Sequence, residues 1–298
     1  MKNFDELLEI AKEKGPKKIV LVGADDREGL KALKNAHDNG IIVGYLVGDK
    51  IGIENIAKEI NFNLQDFEII DEKDPVLASE KGVKLVNSGK ADFLMKGLVK
   101  TAILLKAVLN KEWGLRTGEV LSHVAVEEIP GWNRLIFVTD GGMIVKPDLK
   151  QKASIAQNAI NFARLLGINE PKVAVLSAVE VVNPDIPETL DAAMLAKMSD
   201  RNQIKGGKID GPFALDNAIN EFAAKIKHVD SSPVAGKADI LLVPDLNSGN
   251  ILGKALVYFA NAKIAGLILG AKAPVVVISR ADKDESKLYS IALGAVVS

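Results

Sequence analysis

Ile240-Leu241-Leu242-Val243-Pro244-Asp245-Leu246-Asn247-Ser248-Gly249-Asn250, closing on Lys254, is the stretch whose reading decides the fold. A branched apolar run ends there in a polar loop. The pattern recurs at Val275-Val276-Val277-Ile278, which runs into Ser279-Arg280 and then Ala281-Asp282-Lys283-Asp284-Glu285. Runs of this length and branching predict buried strands of a parallel sheet. The stretch between them, Ile251 to Leu267, has helical spacing. In open α/β sheets, ligands bind beyond the carboxyl ends of the strands, so both loops are candidate sites. Polar loops follow the strands of any α/β protein, so position alone assigns no function.

Working outward, the same rhythm fills the chain. Phe4 to Lys14 reads as an amphipathic helix, Lys18 to Val22 as a strand, Glu28 to Asn39 as a helix closed by Gly40, and Ile41 to Val47 as a strand. Strand, helix, strand implies parallel pairing with crossover helices. Phe67 to Ile70 is a short strand, and Asp74-Pro75 opens a helix to about Ser88. Ala91 to Met95 is a strand leading into Lys96-Gly97-Leu98-Val99-Lys100-Thr101 and a helix to Leu109. That basic loop can hold an anion on backbone N–H groups with help from Lys96, or be a solvated loop with two lysines.

Arg134 to Val138 predicts a strand ending in Thr139-Asp140-Gly141-Gly142, whose glycines allow a close approach or a tight turn. Leu149 to Leu166 predicts a helix stopped by Gly167, and Lys172 to Leu176 a strand. Glu188 to Met198 is helical, Asp200 to Lys208 is a loop leading to Ile209-Asp210-Gly211-Pro212, and a further helix runs from Leu215 to Lys227. The 298 residues suggest two domains. A new strand starts after Pro130-Gly131-Trp132, and the last strand can return to the first domain. The expected division is 1–132 plus 268–298 against 133–267, with the active site in the cleft between them.

Composition excludes several chemistries. With no cysteine, disulfides, thiolate metal sites and a cysteine acyl-enzyme are ruled out, and a reducing cytoplasm is the expected compartment. Only His37, His123 and His228 occur, without HExxH, so no histidine-rich metal site is expected. A net charge of −1 favours neither nucleic acid nor an anionic membrane. Met1 to Glu6 carries no apolar signal core, and Ala255 to Ile278 is too interrupted to span a bilayer. Gly23-Ala24-Asp25 lacks the later glycines of a dinucleotide turn. Gly249 to Lys254 fails the Walker pattern in spacing, and Ala255 stands where Ser or Thr would meet magnesium. There is no GxSxG elbow, and Ser122 and His123, as strand neighbours, point to opposite faces.

Longer runs carry a resemblance. Lys197 to Gly207, Asp210 to Ala218, Ser232 to Asp239, the Asp245 to Asn250 loop, Ser279-Arg280-Ala281-Asp282 and Lys287 to Leu293 resemble the phosphate butyryltransferases of the phosphate acetyl/butyryltransferase family. Lys96 to Val99, Leu115 to Gly118 and Ser122 to Val126 agree. The resemblance covers most of the chain and is weakest over about the first sixty residues. It implies a two-domain α/β/α fold with mainly parallel sheets, like isopropylmalate dehydrogenase. It also implies reversible acyl transfer between coenzyme A and inorganic phosphate in a ternary complex, with no acyl-enzyme, no bound metal and no permanent cofactor.

By the family's pattern, Ser279 and Arg280 stabilise the transferring carbonyl and the phosphate. Arginine's rigid fork suits phosphate oxygens. An aspartate that serves the acetyl branch as base for the coenzyme A thiol is replaced here by Ser286, so Asp282 or Asp284 must substitute. Gly253 stands where the family often has an aromatic residue. Substrate contacts are expected at Lys96, Thr101, Arg116, His123 and Asp140, and along the last loop at Asp245, Asn247, Gly249, Asn250 and Lys254. The expected protein is cytoplasmic and a homo-oligomer, a dimer or a multiple of dimers, that prefers butyryl. The alternatives are a phosphate acetyltransferase, a metal- and NAD-dependent decarboxylating dehydrogenase built around Asp210 and Asp216, and a non-catalytic acyl-CoA-binding protein.

Overall fold

The computed structural model describes residues 1–277 and 282–298, so Ser279 and Arg280 lie outside the described residues, as does the expected strand end at Ile278. From the N-terminus the elements are α1 (Phe4–Glu13), β1 (Lys17–Val22), α2 (Arg27–Asp38), β2 (Ile42–Gly48), α3 (Lys50–Glu59), β3 (Phe67–Asp71), α4 (Pro75–Asn87), β4 (Phe93–Lys96) and α5 (Thr101–Val108). Next come β5 (Ser122–Glu128), β6 (Ile136–Thr139), α6 (Leu149–Leu165), β7 (Lys172–Leu176), α7 (Pro187–Asp200), β8 (Lys208–Phe213), α8 (Leu215–Ile219) and α9 (Glu221–Ile226). The chain closes with β9 (Ile240–Leu242), α10 (Leu246–Phe259), β10 (Lys263–Leu269), β11 (Val275–Val276) and α11 (Asp284–Val297).

Aspartates start many of these helices by accepting N–H groups that the first turn leaves unpaired. Asp74 accepts from Val76 and Leu77, with Pro75 in the first turn as the Asp-Pro pair predicts. Asp148 and Gln151 form a reciprocal capping box on α6.

The chain folds into two compact units. The terminal unit joins Phe4–Glu119 to Ala265–Ser298. Its strands lie in the order β3-β2-β1-β4-β11-β10, parallel except where β10 meets β11. Ile19 to Val22, Phe93 to Met95 and Val275-Val276 are almost fully buried, as strands covered on both faces should be. Each such side chain contributes about 1.5–3 kcal/mol relative to exposure. Helix α11 is buried along most of its length. It lies so close to β4 that a Cβ on Gly294 would meet the Phe93 ring at 2.8 Å.

The middle unit comprises Val120–Ile264 with Met1–Asn3. Its strands run β5-β6-β9-β7-β8, with β5 antiparallel to β6 and the rest parallel. Ile136, Val138, Ala174, Leu176, Phe213, Leu241 and Val243 form the centre of a core that Leu252 and Leu256 of α10 cover.

Four expectations are corrected. The polar loop after β9 is not a loop beyond Asp245: Asp245 is the N-cap of α10, accepting the Ser248 N–H at 2.8 Å, so Asn247 to Asn250 form its first turns. The helix expected to reach Leu267 ends at Phe259, because Asn261 turns the chain at φ 54° and Lys263–Leu269 becomes a strand. Its branched residues are compatible with either period, and pairing to β11 decides for the strand. Lys208–Phe213 is strand β8, so the loop expected to run through Lys208 ends at Gly207; pairing with β7 tolerates Gly211-Pro212 at the sheet edge. The helix expected from Leu215 to Lys227 breaks at Asn220, whose side chain caps α9 by accepting the Ala223 N–H.

Candidate functional site

In the terminal unit the candidate groups gather after β4. Lys96 ends that strand, and its Nζ donates to the Gly97 and Val99 carbonyls at 3.1 and 3.3 Å. Gly97 and Gly23, the residue after β1, touch backbone to backbone. A Cβ on Gly97 would stand 2.2 Å from the Gly23 oxygen, and one on Gly23 would stand 2.8 Å from the Leu98 carbonyl carbon. Any side chain at either place would push the basic loop outward. Thr101 is exposed at the first turn of α5, which no side chain caps among the described residues. An uncapped helix start beside a lysine suits an anion.

Arg116 is not part of that cluster. It bridges to Ala271, and Thr117 Oγ1 donates to the Gly270 carbonyl at 2.6 Å. Ala271 precedes β11, which runs parallel to β4 with Val275 beside Leu94, so Arg116 stands at the end of this strand pair opposite to Lys96.

Beyond β11, Asp284 opens α11 and is exposed, with Oδ1 3.3 Å from Lys287 Nζ. Lys287, only 2% exposed, also donates to Glu28 Oε2 at 2.7 Å. Burial pulls its pKa down, but the bonds to Glu28 and Asp284 outweigh it and leave the pKa raised. The Lys287 bond, with help from Lys31, holds Glu28 below the usual carboxylate range. This pairing ties the first turn of α11 to α2. Asp282 is half-buried, and Ser286 is buried with its carbonyl accepting from Ser290 Oγ.

In the middle unit the candidates gather at the carboxyl ends of β6 and β9. Asp140, 2% exposed, spends both oxygens on backbone: Oδ1 accepts from His123, Gly142 and Met143, and Oδ2 from Ile144, all within 3.1 Å. It therefore folds the loop after β6 and fixes it to His123. Thr139 Oγ1 donates to the His123 carbonyl at 2.7 Å, and a Cβ on Gly142 would press on the His123 ring at 3.0 Å.

Gly141 carries this loop onto α10. A Cβ on Gly249 would stand 2.6 Å from Gly141 Cα, so the close approach that the glycines permit is made by a helix. The Leu246 N–H donates to the Val145 carbonyl and closes the same contact. Asp245 also accepts from Ser248 Oγ at 2.9 Å. Chiefly the Ser248 N–H holds the Asp245 carboxyl below its ordinary range, against burial, with smaller help from the Ser248 hydroxyl, the Asn247 N–H and the Lys152 charge. Asn247, Asn250 and Lys254 are exposed along the first turns of α10. Thus His123, Asp140, Asp245 and Gly249 are brought into one assembly, with Asn247, Asn250 and Lys254 on the helix it positions.

Sequence reading missed Lys152 on α6, whose Nζ donates to Asp191 Oδ2 of α7 at 2.7 Å, and Glu127 on β5. Lys152 follows a capping box at a position that reads as helix surface, and nothing local signals its distant partner. Asp210 accepts its neighbour's N–H and Asp216 pairs with Lys227, so the two do not converge. No group of His, Asp and Glu is arranged to hold a metal ion among the described residues. Among the same residues, no helix is long and apolar enough to cross a membrane.

Comparison with known proteins gives consistent similarities. The family model described as phosphate acetyl/butaryl transferase matches residues 75–295. The chain is 54% identical over 297 residues to a phosphate butyryltransferase of Clostridium beijerinckii, covering 100% of this chain and 98% of that protein. It is 46% identical over 293 residues to a phosphate acetyltransferase of Thermotoga maritima, covering 98% of this chain and 99% of the relative. Among solved structures, a branched-chain phosphotransacylase from Enterococcus faecalis superposes with a TM-score of 0.82 at 32% identity, over 94% of this chain and 99% of that one.

Proposed function

The chain belongs to the phosphate acetyl/butyryltransferase family, and on that premise we propose that it transfers butyryl, in preference to acetyl, reversibly between coenzyme A and inorganic phosphate. It is an acyltransferase. The observation that carries the reading is the 54% identity to a phosphate butyryltransferase along the whole chain. The uncapped, basic start of α5 supports it as a place suited to an anion.

In the forward direction a phosphate oxygen attacks the thioester carbonyl, and the carbon–oxygen bond forms as charge moves to the carbonyl oxygen. Collapse of this tetrahedral species breaks the carbon–sulfur bond. Acyl phosphate is released, and coenzyme A leaves as a thiolate that takes up a proton. The charge on the carbonyl oxygen is the usual target of the largest catalytic term. Ser279 and Arg280 are assigned to it by the family pattern, and Asp282 or Asp284 exchanges the thiol proton. Lys96 and Thr101, with His123 and the Asp140–Asp245–Gly249 assembly, contact or position the substrates, as do Asn247, Asn250 and Lys254; Arg116, at the other end of the β4–β11 pair, is left out of this set. Acyl-CoA, coenzyme A, phosphate and acyl phosphate are the partners, with no permanent cofactor.

The lack of cysteine supports a cytoplasmic setting. A homo-oligomer is expected, supported by the exposed Ile251, Tyr258 and Phe259 on α10, and light scattering tests it. Acetyl transfer is the second reading, favoured by the 46% identity to an acetyltransferase. The deciding experiment is thiol release from acetyl-, propionyl-, butyryl- and branched acyl-CoA with phosphate. No release from any of them would discard the proposal.

A further inference from the structure

Lys287 is buried, yet it pairs with a carboxylate on the surface. Its Nζ stands 3.3 Å from Asp284 Oδ1, three residues earlier on α11, and donates at 2.7 Å to Glu28 Oε2 of α2. The other pairs at this spacing among the described residues are Lys12–Glu9, Lys31–Glu28 and Lys197–Asp200, and they join side chains each more than a third exposed. Such exposed pairs hold neither partner firmly in one pose. Lys287 differs, because burial fixes its stem and Glu28 fixes its ammonium. Burial alone would pull its pKa down, but the bonds to Glu28 and Asp284 leave it raised, so it stays charged. Asp284 is therefore gripped at Oδ1 by an immobile cation, while its side chain, 74% exposed, turns the rest of the carboxylate to solvent.

Strand order puts this grip at the edge of the sheet that carries the basic loop. β1, β4 and β11 are parallel neighbours, with β4 between the other two. α2 follows β1, α5 follows β4 and α11 follows β11, so the three helix starts share the carboxyl edge of these strands. Lys96 ends β4 at that edge, and the Glu28–Lys287 bond joins the helices that follow its two flanking strands. In sequence, Ser279 and Arg280 lead into the same first turn of α11.

We propose that Lys287 is a positioning residue for acyl transfer: it holds Asp284 by Oδ1 so that Asp284 Oδ2, and not Asp282, exchanges the coenzyme A proton. This rests on the reading of the chain as a phosphate acyltransferase with a carboxylate in that role. As the thioester forms, the thiol sulfur attacks the acyl carbon of the acyl phosphate and its proton passes to Asp284 Oδ2. The carbon–oxygen bond then breaks and phosphate leaves. In the opposite direction the departing thiolate takes that proton back. A base works from within hydrogen-bond reach in a fixed pose, and a misplacement of about 1 Å lowers rates about 100-fold. Buried as it is, Lys287 meets no substrate itself and acts through Asp284. An ion pair that merely tied α11 to α2 would matter equally whether or not Asp284 were present.

The test is a double-mutant cycle on the full-length protein, read as initial rates of thioester formation from butyryl phosphate and coenzyme A. Asp284→Asn should lower kcat by about 100-fold or more. Lys287→Met should lower it about 10- to 100-fold, with both KM values changed by less than about threefold, and Lys287→Arg should recover most of that loss. In the Asp284→Asn background, Lys287→Met should lower kcat by no more than about a further twofold, because the group it positions is gone. Equal kcat losses from Lys287→Met with and without the Asp284 carboxylate overturn the inference. So does near-normal kcat in Asp284→Asn or in a folded Lys287→Met protein. If Lys287→Met does not fold, Lys287→Gln goes through the same cycle and is judged by the same two outcomes. A wild-type protein that releases no thiol from any acyl-CoA with phosphate would defeat the acyltransferase reading and this inference with it. Thiol release by wild type together with additive losses in the cycle would defeat the role of Lys287 alone.

Discussion

Gly253 of α10 faces the Glu127 side chain: a Cβ placed on this glycine would stand 3.5 Å from Glu127 Oε1, in ordinary contact. Glu127 is completely buried on β5, and neither of its carboxyl oxygens has a hydrogen-bond partner among the described residues. An aromatic ring at 253, which the family often carries, would crowd that carboxyl. Burial alone pushes the Glu127 pKa up from 4.5 to about 8. At neutral pH the group is thus largely protonated, because burial penalises its charged form and no donor among the described residues offsets that.

The sign of the resulting pH dependence is fixed. Between 4.5 and about 8 the folded chain holds a proton that the unfolded chain releases. The stability is therefore fully present below the lower value and is lost as pH rises through the upper one, by at most about 1.4 kcal/mol per pH unit. Glu127→Met removes both the proton linkage and the unpaired oxygens at similar volume, a change that is often neutral or stabilising. Urea unfolding at pH 5.5 and 7.5 should show wild type losing more stability than the variant, with the variant the more stable at pH 7.5. Equal pH slopes would mean that Glu127 finds a partner in solution.

Asp140 makes a different demand, because both its oxygens are spent on backbone N–H groups. Asp140→Ala leaves the His123, Gly142, Met143 and Ile144 N–H groups without their acceptor. A loss of about 3–5 kcal/mol is expected from several charge-assisted bonds and buried unpaired donors. Asp140→Asn keeps one acceptor oxygen and should lose less. Denaturation midpoints check the order, and an alanine variant within about 0.5 kcal/mol of wild type would assign Asp140 to substrate alone.

Much of this was legible because it is local. The branched runs at Ile240 and Val275 gave strands, and Asp74-Pro75 marked a helix start that the Asp74 side chain does cap. The α10 boundary was obscured by Gly249 and Gly253, which argue against a helix until one sees that Gly249 lets the helix meet Gly141 and Val243. Glu127 sits in Ser-His-Val-Ala-Val-Glu-Glu, whose end reads as a solvated strand terminus, yet α10 covers it. Lys152 and Lys287 read as helix surface. Their carboxylates, 39 and 259 residues away in sequence, are brought in by tertiary packing that no periodicity encodes. Arg116 looked like a companion of Lys96, and only strand order separates them.

Butyryl-CoA should outperform acetyl-CoA. Two further methylenes contribute about 0.8 kcal/mol each when buried, enough for roughly tenfold in kcat/KM if the pocket fits them. Specificity constants for the two thioesters under one buffer decide the matter. A higher value for acetyl-CoA would move the chain to the acetyl branch. No acyl-enzyme should form in either case, so labelled butyryl-CoA without phosphate should leave no stable label on the denatured protein.

Arg280 gives the last prediction, which rests on the family pattern because the residue lies outside the described residues. If its guanidinium orients phosphate and neutralises charge as the tetrahedral species forms, Arg280→Ala loses both the charge and the planar fork. Arg280→Lys keeps the charge and loses the fork. Removing one preorganised donor in comparable sites lowers turnover about 100- to 1,000-fold, so alanine should fall in that range and lysine between it and wild type. The phosphate KM should rise in both variants, since the same group is assigned to the ground-state anion. Melting temperatures measured alongside separate loss of catalysis from loss of fold. Near-normal turnover in a folded Arg280→Ala protein would remove Arg280 from the site and leave the carbonyl charge to be met by Ser279 and the basic start of α5.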